Sequence, residues 1–387
     1  MENVYYIKNI GCVLNTKKLN YTNIVFLSGI PLISILGTVY WIKSGAFNLN
    51  TIILMAFMYT AVQLSITAGY HRLFSHKSFE AHPIVKALLL IFGAAAFQGT
   101  ALKWSQDHRR HHRFIDDVEK DPYSINKGFW WAHIGWLFYE GTRDYNPEEV
   151  PDLVKDKMVS LQFKYYLRLG FLVGFILPTL VSFIFWHDLL GGFVVASALR
   201  LTLNYHSTFF INSLAHTLGK QNFSDEHSSR DNLITAILTF GEGYHNFHHE
   251  FPSDYRNGIH FYDFDPTKWL IYGLSKLRLA KDLKEADRDL IIRKQAAMMT
   301  KNFRSIFGGK LSAREHFMIR IVSKLSSNVE DQFSKLKQLK KNRIISVSLN
   351  EQSIIAKEIQ KAQREFKLSC KLLSKIINRF EQQFAAK

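Results

Sequence analysis

The sequence predicts an all-α membrane protein whose four transmembrane helices form two hairpins. Its apolar residues are concentrated in two pairs of segments, at about residues 21–42 with 49–69 and 167–186 with 189–211. Each segment is close to the length that crosses a hydrocarbon layer of ~30 Å. Arg200 interrupts the fourth segment, so we expect its side chain to face protein, water or a ligand. Four core helices of a soluble protein are the alternative, which the repetition of the pattern disfavours.

Histidines are clustered between and after these segments. The pattern His-x-x-His-His occurs twice, with His71 and His76 as a looser pair before it, and the two copies are His108, His111, His112 and His245, His248, His249. Positions i, i+3 and i+4 share one face of a helix, so each copy predicts three imidazoles on one side. Imidazole is a favoured ligand of iron, zinc and copper. Because so many nitrogens exceed the needs of one tetrahedral zinc ion, we predict two metals.

A single metal centre requires all the histidine groups to lie on the same side of the membrane. With two hairpins, residues 70–166 and 212–275 form a cytosolic helical cap that carries this dimetal centre, and the segment 1–20 lies on the same side. The basic residues near both termini make that side cytoplasmic. The apolar segment from Ile84 to Leu102 is then predicted not to cross the bilayer, but to lie at the interface or under the site.

Residues 276–387 carry most of the positive charge, with 26 Lys and Arg against 11 Asp and Glu. Apolar residues recur there at helical spacing, so we predict a basic helical cytosolic tail. The tail is expected to lie on an anionic membrane surface, to bind an acidic protein or to be a solvated extension. Nucleic acid is disfavoured as a partner.

The ligand types indicate the chemistry. Asn212 and His216 are four residues apart at the end of the fourth segment, so they can reach the same centre. A metal with mostly neutral nitrogen ligands keeps its positive charge, which suits the use of electrons and O2 to form a strong oxidant. Hydrolytic zinc chemistry, with Glu242 or Asp107 as the base, is the competing interpretation.

At these residues the chain resembles the membrane acyl-CoA delta-9 desaturases of the stearoyl-CoA desaturase type, in particular the fungal branch. The matching stretches are residues 67–76, 107–113, 211–216 and 239–251, and the likeness covers roughly Tyr21 to Leu283. The resemblance implies that O2 and two electrons remove hydrogens from C9 and C10 of a saturated acyl-CoA. It also implies an enzyme of the endoplasmic reticulum membrane with two iron ions.

The same resemblance implies a set of site residues. The iron ligands would be nine histidines and a water-linked asparagine, namely His71, His76, His108, His111, His112, His216, His245, His248, His249 and Asn212. A bent substrate tunnel would be held by Gln98, Trp104 and Thr208, and Tyr59 and Gln63 would limit the chain length. Asp107 is a further candidate substrate contact. Arg143 is the candidate for the CoA phosphates, because Glu140 and Gly141 replace the usual basic pair.

The resemblance also bears on the electron donor. Many fungal members carry a fused cytochrome b5 domain with two haem-ligating histidines, but His316 is the only histidine after His260. No haem is therefore expected in this chain, and electrons would come from a separate cytochrome b5 and its NADH-dependent reductase. The basic tail could attract the acidic face of such a donor.

Two rival functions remain open. A lipid hydroxylase of the same histidine-box superfamily differs only in the step after the first hydrogen abstraction. A catalytically inactive membrane sensor that binds acyl-CoA or metal would use the tail as its interaction module. The complete histidine set argues against the sensor.

Overall fold

In a computed structural model, residues 18–141, 145–305, 312–345 and 348–385 are described, and helices dominate them. The helices, numbered along the chain, are α1 Tyr21–Lys43, α2 Leu49–Ser75, α3 Pro83–Ala94, α4 Ala101–Arg113, α5 Phe129–His133, α6 Pro151–Val154, α7 Lys157–Trp186, α8 at residues 189–213, α9 Leu233–Leu238, α10 His245–Glu250, α11 Pro266–Lys276, α12 Arg288–Ser305, α13 Ala313–Ile345 and α14 Leu349–Ala385. Two short strands, β1 Glu80–Ala81 and β2 Ala280–Lys281, pair antiparallel.

Three of these helices, α1, α2 and α7, are long and apolar enough to cross a membrane. They fit the predicted membrane protein, although α2 continues six residues further than predicted and α7 begins ten residues earlier. The fourth predicted span is the continuous helix α8. It is more polar than α1, α2 and α7, because it contains Arg200, Asn204 and Thr208, whose side chains are buried. Four crossings therefore remain a proposal.

The turns of the two predicted hairpins meet at one end of the bundle. Asp188, between α7 and α8, accepts hydrogen bonds from Trp41 Nε1 of α1 at 3.0 Å and from Thr51 Oγ1 of α2 at 2.6 Å. At the opposite end, Asn20 N and Asn23 Nδ2 donate to the carbonyls of Phe138 and Leu137, each at 2.8 Å. The start of α1 thus lies beside the histidine-bearing part of the chain.

The segment from Ile84 to Leu102 is not one continuous helix. It contains α3, which has 12 residues and spans only ~18 Å, and then turns through Phe97 and Gly99 with φ of 52° and 102°. Gly93 allows α3 to approach α2 closely, because an added Cβ would lie 2.5 Å from Tyr70 Cε1. A helix of the length of α3 is too short by itself to cross a hydrocarbon layer of ~30 Å.

Arg200 faces protein, as its position predicts. Its guanidinium donates to the carbonyl oxygens of Ala95 at 2.8 Å and Gly174 at 2.6 Å, so it joins α8 to the turn after α3 and to α7. A buried carbonyl without a partner is costly, and this pairing removes that cost at two positions.

The tail is a three-helix bundle of α12, α13 and α14 with its own apolar core, which includes Phe303, Val322 and Phe366. Helix α12 attaches the bundle to the rest of the protein, because Ile291 packs with Phe247 and Phe251 around α10. Lys294 Nζ also lies 2.7 Å from Glu250 Oε1 at the end of α10. The bundle is therefore attached to α10, the helix that carries the second His-x-x-His-His copy.

Candidate metal centre

The first histidine pair is brought together by an unusual helix. The last eleven residues of α2, Ser65–Ser75, form a π-helix, in which residues five apart are joined by hydrogen bonds. His76 N accordingly donates to His71 O at 3.1 Å. A regular α-helix would separate the two side chains by ~140°, but here the rings lie 4.8 Å apart.

All nine histidines of the predicted ligand set gather into two groups. The larger contains His71, His76, His108, His112 and His248, and the smaller contains His111, His216, His245 and His249. Within each group, one nitrogen per residue lies within 4.8 Å of the others. The two groups agree with the prediction of two metals.

Each His-x-x-His-His copy is divided between the two groups. In α4, His108 and His112 join the larger group while His111 joins the smaller. In α10, His245 and His249 join the smaller group while His248 joins the larger. Helix geometry explains the division, because residues i and i+4 differ by only ~40° around the axis whereas i+3 and i+4 differ by ~100°. Three imidazoles on one face of a helix can therefore be shared between two neighbouring groups.

The Nε2 atoms point at one another within each group. In the larger group the distance from His248 to His71 is 3.0 Å, and that from His76 to His108 is 2.8 Å. In the smaller group the distance from His245 to His216 is 3.1 Å and that to His249 is 3.0 Å. Ligands held ~2.1 Å from one metal at right angles lie ~3.0 Å apart, so both groups fit a metal ion.

The Nδ1 atoms of four histidines have polar partners outside the groups, and the longest of these contacts joins His108 Nδ1 to the Tyr123 hydroxyl at 3.4 Å. His111 Nδ1 lies 2.8 Å from Asp121 Oδ2, and His71 Nδ1 lies 2.8 Å from Glu242 Oε2. His216 Nδ1 lies 2.7 Å from Ser228 Oγ. A partner at Nδ1 fixes the ring and its tautomer, and so keeps Nε2 free as a ligand.

The environment also favours the neutral form of seven of these imidazoles, which is the form that binds metal. Burial lowers the pKa of seven of the nine well below the ordinary value for histidine, and neighbouring imidazoles lower it further; the seven are His76, His108, His112, His216, His245, His248 and His249. The donor sets are thus built mostly from neutral imidazole nitrogens, and carboxylates and a hydroxyl outside the groups orient some of the rings.

The carboxylate of Glu242 is one of the groups that orient the histidines, and its contacts do not suit a base for hydrolysis. Arg72 Nη2 donates to Glu242 Oε1 at 2.9 Å, and Asn257 Nδ2 donates to Oε2 at 2.7 Å. Burial alone would raise the pKa of Glu242, but His71 and Arg72 hold it below its ordinary value. With both oxygens occupied, this carboxylate is poorly placed as the base for hydrolytic zinc chemistry.

A mostly apolar cavity touches both histidine groups. Its walls include His71 and His108 of the larger group and His111 and His245 of the smaller. Four predicted site residues, Gln98, Trp104, Asp107 and Thr208, also line it, together with Asn212. Gln98 Nε2 donates to Thr208 Oγ1 at 2.9 Å, and Trp104 Nε1 donates to Gln98 Oε1 at 3.3 Å. These three residues form one hydrogen-bonded chain along the cavity wall.

Comparison with known proteins places this arrangement in a family. A family profile described as "Fatty acid desaturase" matches residues 48–278. The chain belongs to the fatty acid desaturase family. Acyl-CoA desaturase 1 of Saccharomyces cerevisiae is 43% identical over 276 residues, which are 70% of this chain and 53% of that protein.

Two further relatives extend the comparison. A probable acyl-CoA desaturase of Schizosaccharomyces pombe is 41% identical over 268 residues, covering 69% of this chain and 55% of that protein. Human stearoyl-CoA desaturase 5 is 36% identical over 251 residues, covering 64% of this chain and 76% of that protein. The chain spans about half the length of the two yeast relatives.

Two candidate substrate residues of this chain do not lie on the cavity. Gln63 is buried and its Oε1 accepts a hydrogen bond from Asn204 Nδ2 at 3.1 Å, while the Tyr59 ring packs edge-on against Phe240. Helix α2 instead lines the cavity with Ile66 and Thr67, one turn closer to His71. A third candidate, Arg143, lies outside the described residues.

The remaining histidines of the described chain stay out of the two groups. His133 and His206 pair with each other at 3.0 Å between Nε2 and Nδ1. His227 packs 5.4 Å from the His249 ring, and its Nδ1 lies 2.7 Å from Ser229 Oγ. These side chains are held by hydrogen bonds outside the two groups.

Several residues that orient the histidines of this site were not predicted from the sequence. Asp121 follows His111 by ten positions, and an acidic residue so close to a histidine group was the one available signal. Asp231 accepts hydrogen bonds from Asn246 N at 2.9 Å and Phe247 N at 3.1 Å, and so holds the start of α10. No local pattern predicts a contact across fifteen residues.

Proposed function

We propose that this chain is an acyl-CoA delta-9 desaturase, which introduces a cis double bond between C9 and C10 of a saturated fatty acyl-CoA. The observation that carries the proposal is the contact of both imidazole groups with one largely apolar cavity. A reaction at an unactivated CH2–CH2 unit needs an oxidising centre and a chain held at a fixed depth beside it. The cavity and the two groups offer these requirements side by side.

The proposed ligands are those nine histidines, with Asn212 as the water-linked tenth residue. Neutral imidazoles with ordered Nδ1 atoms suit iron, which is the metal we propose for both groups. With iron bound, the chemistry supplied there is the reduction of O2 to two waters by two electrons, two protons and the two hydrogens of the substrate. The carboxylates of Asp121 and Glu242 hold the rings and are not proposed to react.

The protein itself contributes the positioning of the substrate. The hydrogen-bonded chain of Trp104, Gln98 and Thr208 lies along the mostly apolar cavity wall, and we propose that it holds the bend of the acyl chain. Asp107 lines the same cavity and is proposed as a contact to the substrate's polar end. Arg143 is proposed for the CoA phosphates. Tyr59 and Gln63 are proposed to limit the length of the acyl chain from a position behind the residues of α2 that line the cavity.

We propose an endoplasmic reticulum location with four crossings and with the termini and histidines in the cytosol. The contacts of Asn20 and Asn23 with residues 137–138 support this topology, because they place the start of α1 at the histidine-bearing end. The electron donors are proposed to be a separate cytochrome b5 and its NADH-dependent reductase.

Expression in cells that lack their own delta-9 desaturase tests the proposal. Growth without added unsaturated fatty acid, together with cis-9 monoenes in the fatty-acid profile, is the expected result. His111→Ala should abolish both, whereas His260→Ala, which changes an exposed histidine outside the two groups, should retain both.

The same measurement separates the rival functions. Hydroxylated acyl chains without a monoene would replace the proposal by hydroxylation. Neither product, from a folded protein that still binds acyl-CoA, would favour the inactive sensor.

A further inference from the structure

Helix α14 carries a basic stripe that the proposed reaction does not use. Between Ile354 and Arg379 the sequence has seven Lys and Arg but only two acidic residues, Glu358 and Glu365. At 100° per residue, six of the seven cations fall within an arc of ~100°, and they are Lys357, Lys361, Arg364, Lys371, Lys375 and Arg379. Both glutamates lie outside that arc. We call this arc the α14 stripe.

Apolar side chains are interleaved with these cations. Leu368 is 69% exposed, Ile354 is 54% exposed and Leu372 is 46% exposed, all within or at the edge of the same arc. The opposite face of α14 is buried in the bundle core through Ile359, Phe366, Leu373 and Ile377. An outward face that mixes lysines with exposed aliphatic residues is typical of a helix lying in a membrane interface.

The bundle holds the α14 stripe in a fixed orientation. Gln363 Nε2 of α14 donates to Asp289 Oδ2 of α12 at 2.9 Å. Helix α12 in turn packs on α10 through Ile291 and through the ion pair of Lys294 with Glu250. The stripe is therefore carried by the same body that is anchored in the bilayer by the apolar helices.

We propose that the α14 stripe docks on the anionic lipid headgroups of the membrane in which the protein is embedded. Charge complementarity supplies the attraction, since each cation near an anionic surface favours binding. Attachment to the embedded helices keeps the local concentration of headgroups high without a separate encounter. The exposed leucines, interleaved with the cations, favour a partner that has an apolar layer directly beneath its charged surface, as a bilayer has.

The full chain, reconstituted into vesicles, tests the proposal. Leu368→Cys in a Cys12→Ser background carries an environment-sensitive fluorophore, and the background chain taken through the same labelling gives the blank. Vesicles of phosphatidylcholine alone are compared with vesicles that also contain phosphatidylserine. A blue-shifted emission, quenched by nitroxide lipids, is expected only with phosphatidylserine and should be reversed by high salt. The same label at Ser327→Cys, exposed on α13, should not respond.

A charge-matched pair of variants shows whether the stripe itself is responsible. Lys361→Gln with Arg364→Gln and Lys375→Gln should lower the ratio of docked to free stripe roughly a hundredfold, at about fivefold for each cation. Lys324→Gln with Lys335→Gln and Lys337→Gln removes the same charge from exposed positions of α13 and should leave the ratio unchanged. Circular dichroism checks that both variants keep their helices.

Three results would overturn the proposal. One is equal emission in the two kinds of vesicle, and another is an equal loss in both charge variants. The third is a blue shift on adding soluble polyglutamate to neutral vesicles, without a response to phosphatidylserine, which would identify an acidic protein as the partner.

Discussion

Asp121 Oδ2 lies 2.8 Å from Nδ1 of His111, and both side chains are buried. His111 is the one member of its helix that turns to the smaller histidine group. The carboxylate therefore fixes a ring that has no other histidine of α4 beside it in that group.

Asp121→Asn is expected to weaken metal binding at the smaller group, because an amide orients the ring less firmly than a carboxylate. Loss of such a partner costs about 10- to 100-fold in metal affinity. Metal content after a graded chelator challenge measures the effect. The matched control is Asp117→Asn, four residues earlier, whose carboxylate accepts from the backbone N–H groups of residues 119 and 120. Equal metal retention in the two variants would refute the positioning role.

The division of each histidine cluster predicts selective loss of metal. His111→Ala removes a ligand of the smaller group, and His112→Ala removes a neighbouring ligand of the larger group. Each variant should lose one of the two ions, and the double variant should lose both, as measured by elemental analysis of purified protein. Loss of both ions in either single variant would contradict two separately assembled groups.

Gln98→Leu and Thr208→Val each break the hydrogen bond that joins these side chains at 2.9 Å. An unmade buried hydrogen bond costs about 1–3 kcal/mol, so turnover should fall roughly tenfold in each variant. Because the residues are partners, the double variant should lose less than the product of the two effects. Thr202→Val, on the same helix but bonded to the Ala198 carbonyl, is the control. If the loss of turnover in the double variant equals the product of the two single losses, the two side chains do not act as one unit.

Gln63→Ala tests the proposed limit on chain length. It removes the bond to Asn204 and opens space behind the α2 wall at Ile66. The ratio of 18-carbon to 16-carbon monoenes should rise in cells supplied with both chain lengths. Phe57→Ala changes a residue of the same helix that is 61% exposed and should leave the ratio unaltered. An unchanged ratio at full activity for Gln63→Ala would end this role.

Periodic and local features were predictable from the sequence. The positions of α1, α2 and α7 follow from apolar length, and the inward turn of Arg200 follows from the cost of a charge facing lipid. Six of the nine histidines were predictable because repeated spacing on a helix places them on one face, and the full set of nine followed from the resemblance to a known family. The residues behind them were not, since Asp121, Asp231 and Glu242 act through contacts that no short pattern encodes.

The sequence by itself determined how many imidazoles this desaturase-family chain offers and that helices present them together. Only the tertiary structure decided which imidazoles belong to the larger group and which to the smaller. The π-helix at Ser65–Ser75 turned His71 and His76 to one side, and the packing of α4 and α10 divided each cluster into two and one. The physical reason is angular, because spacing along a helix fixes directions around its own axis. Which direction meets which neighbour depends on how separate helices pack.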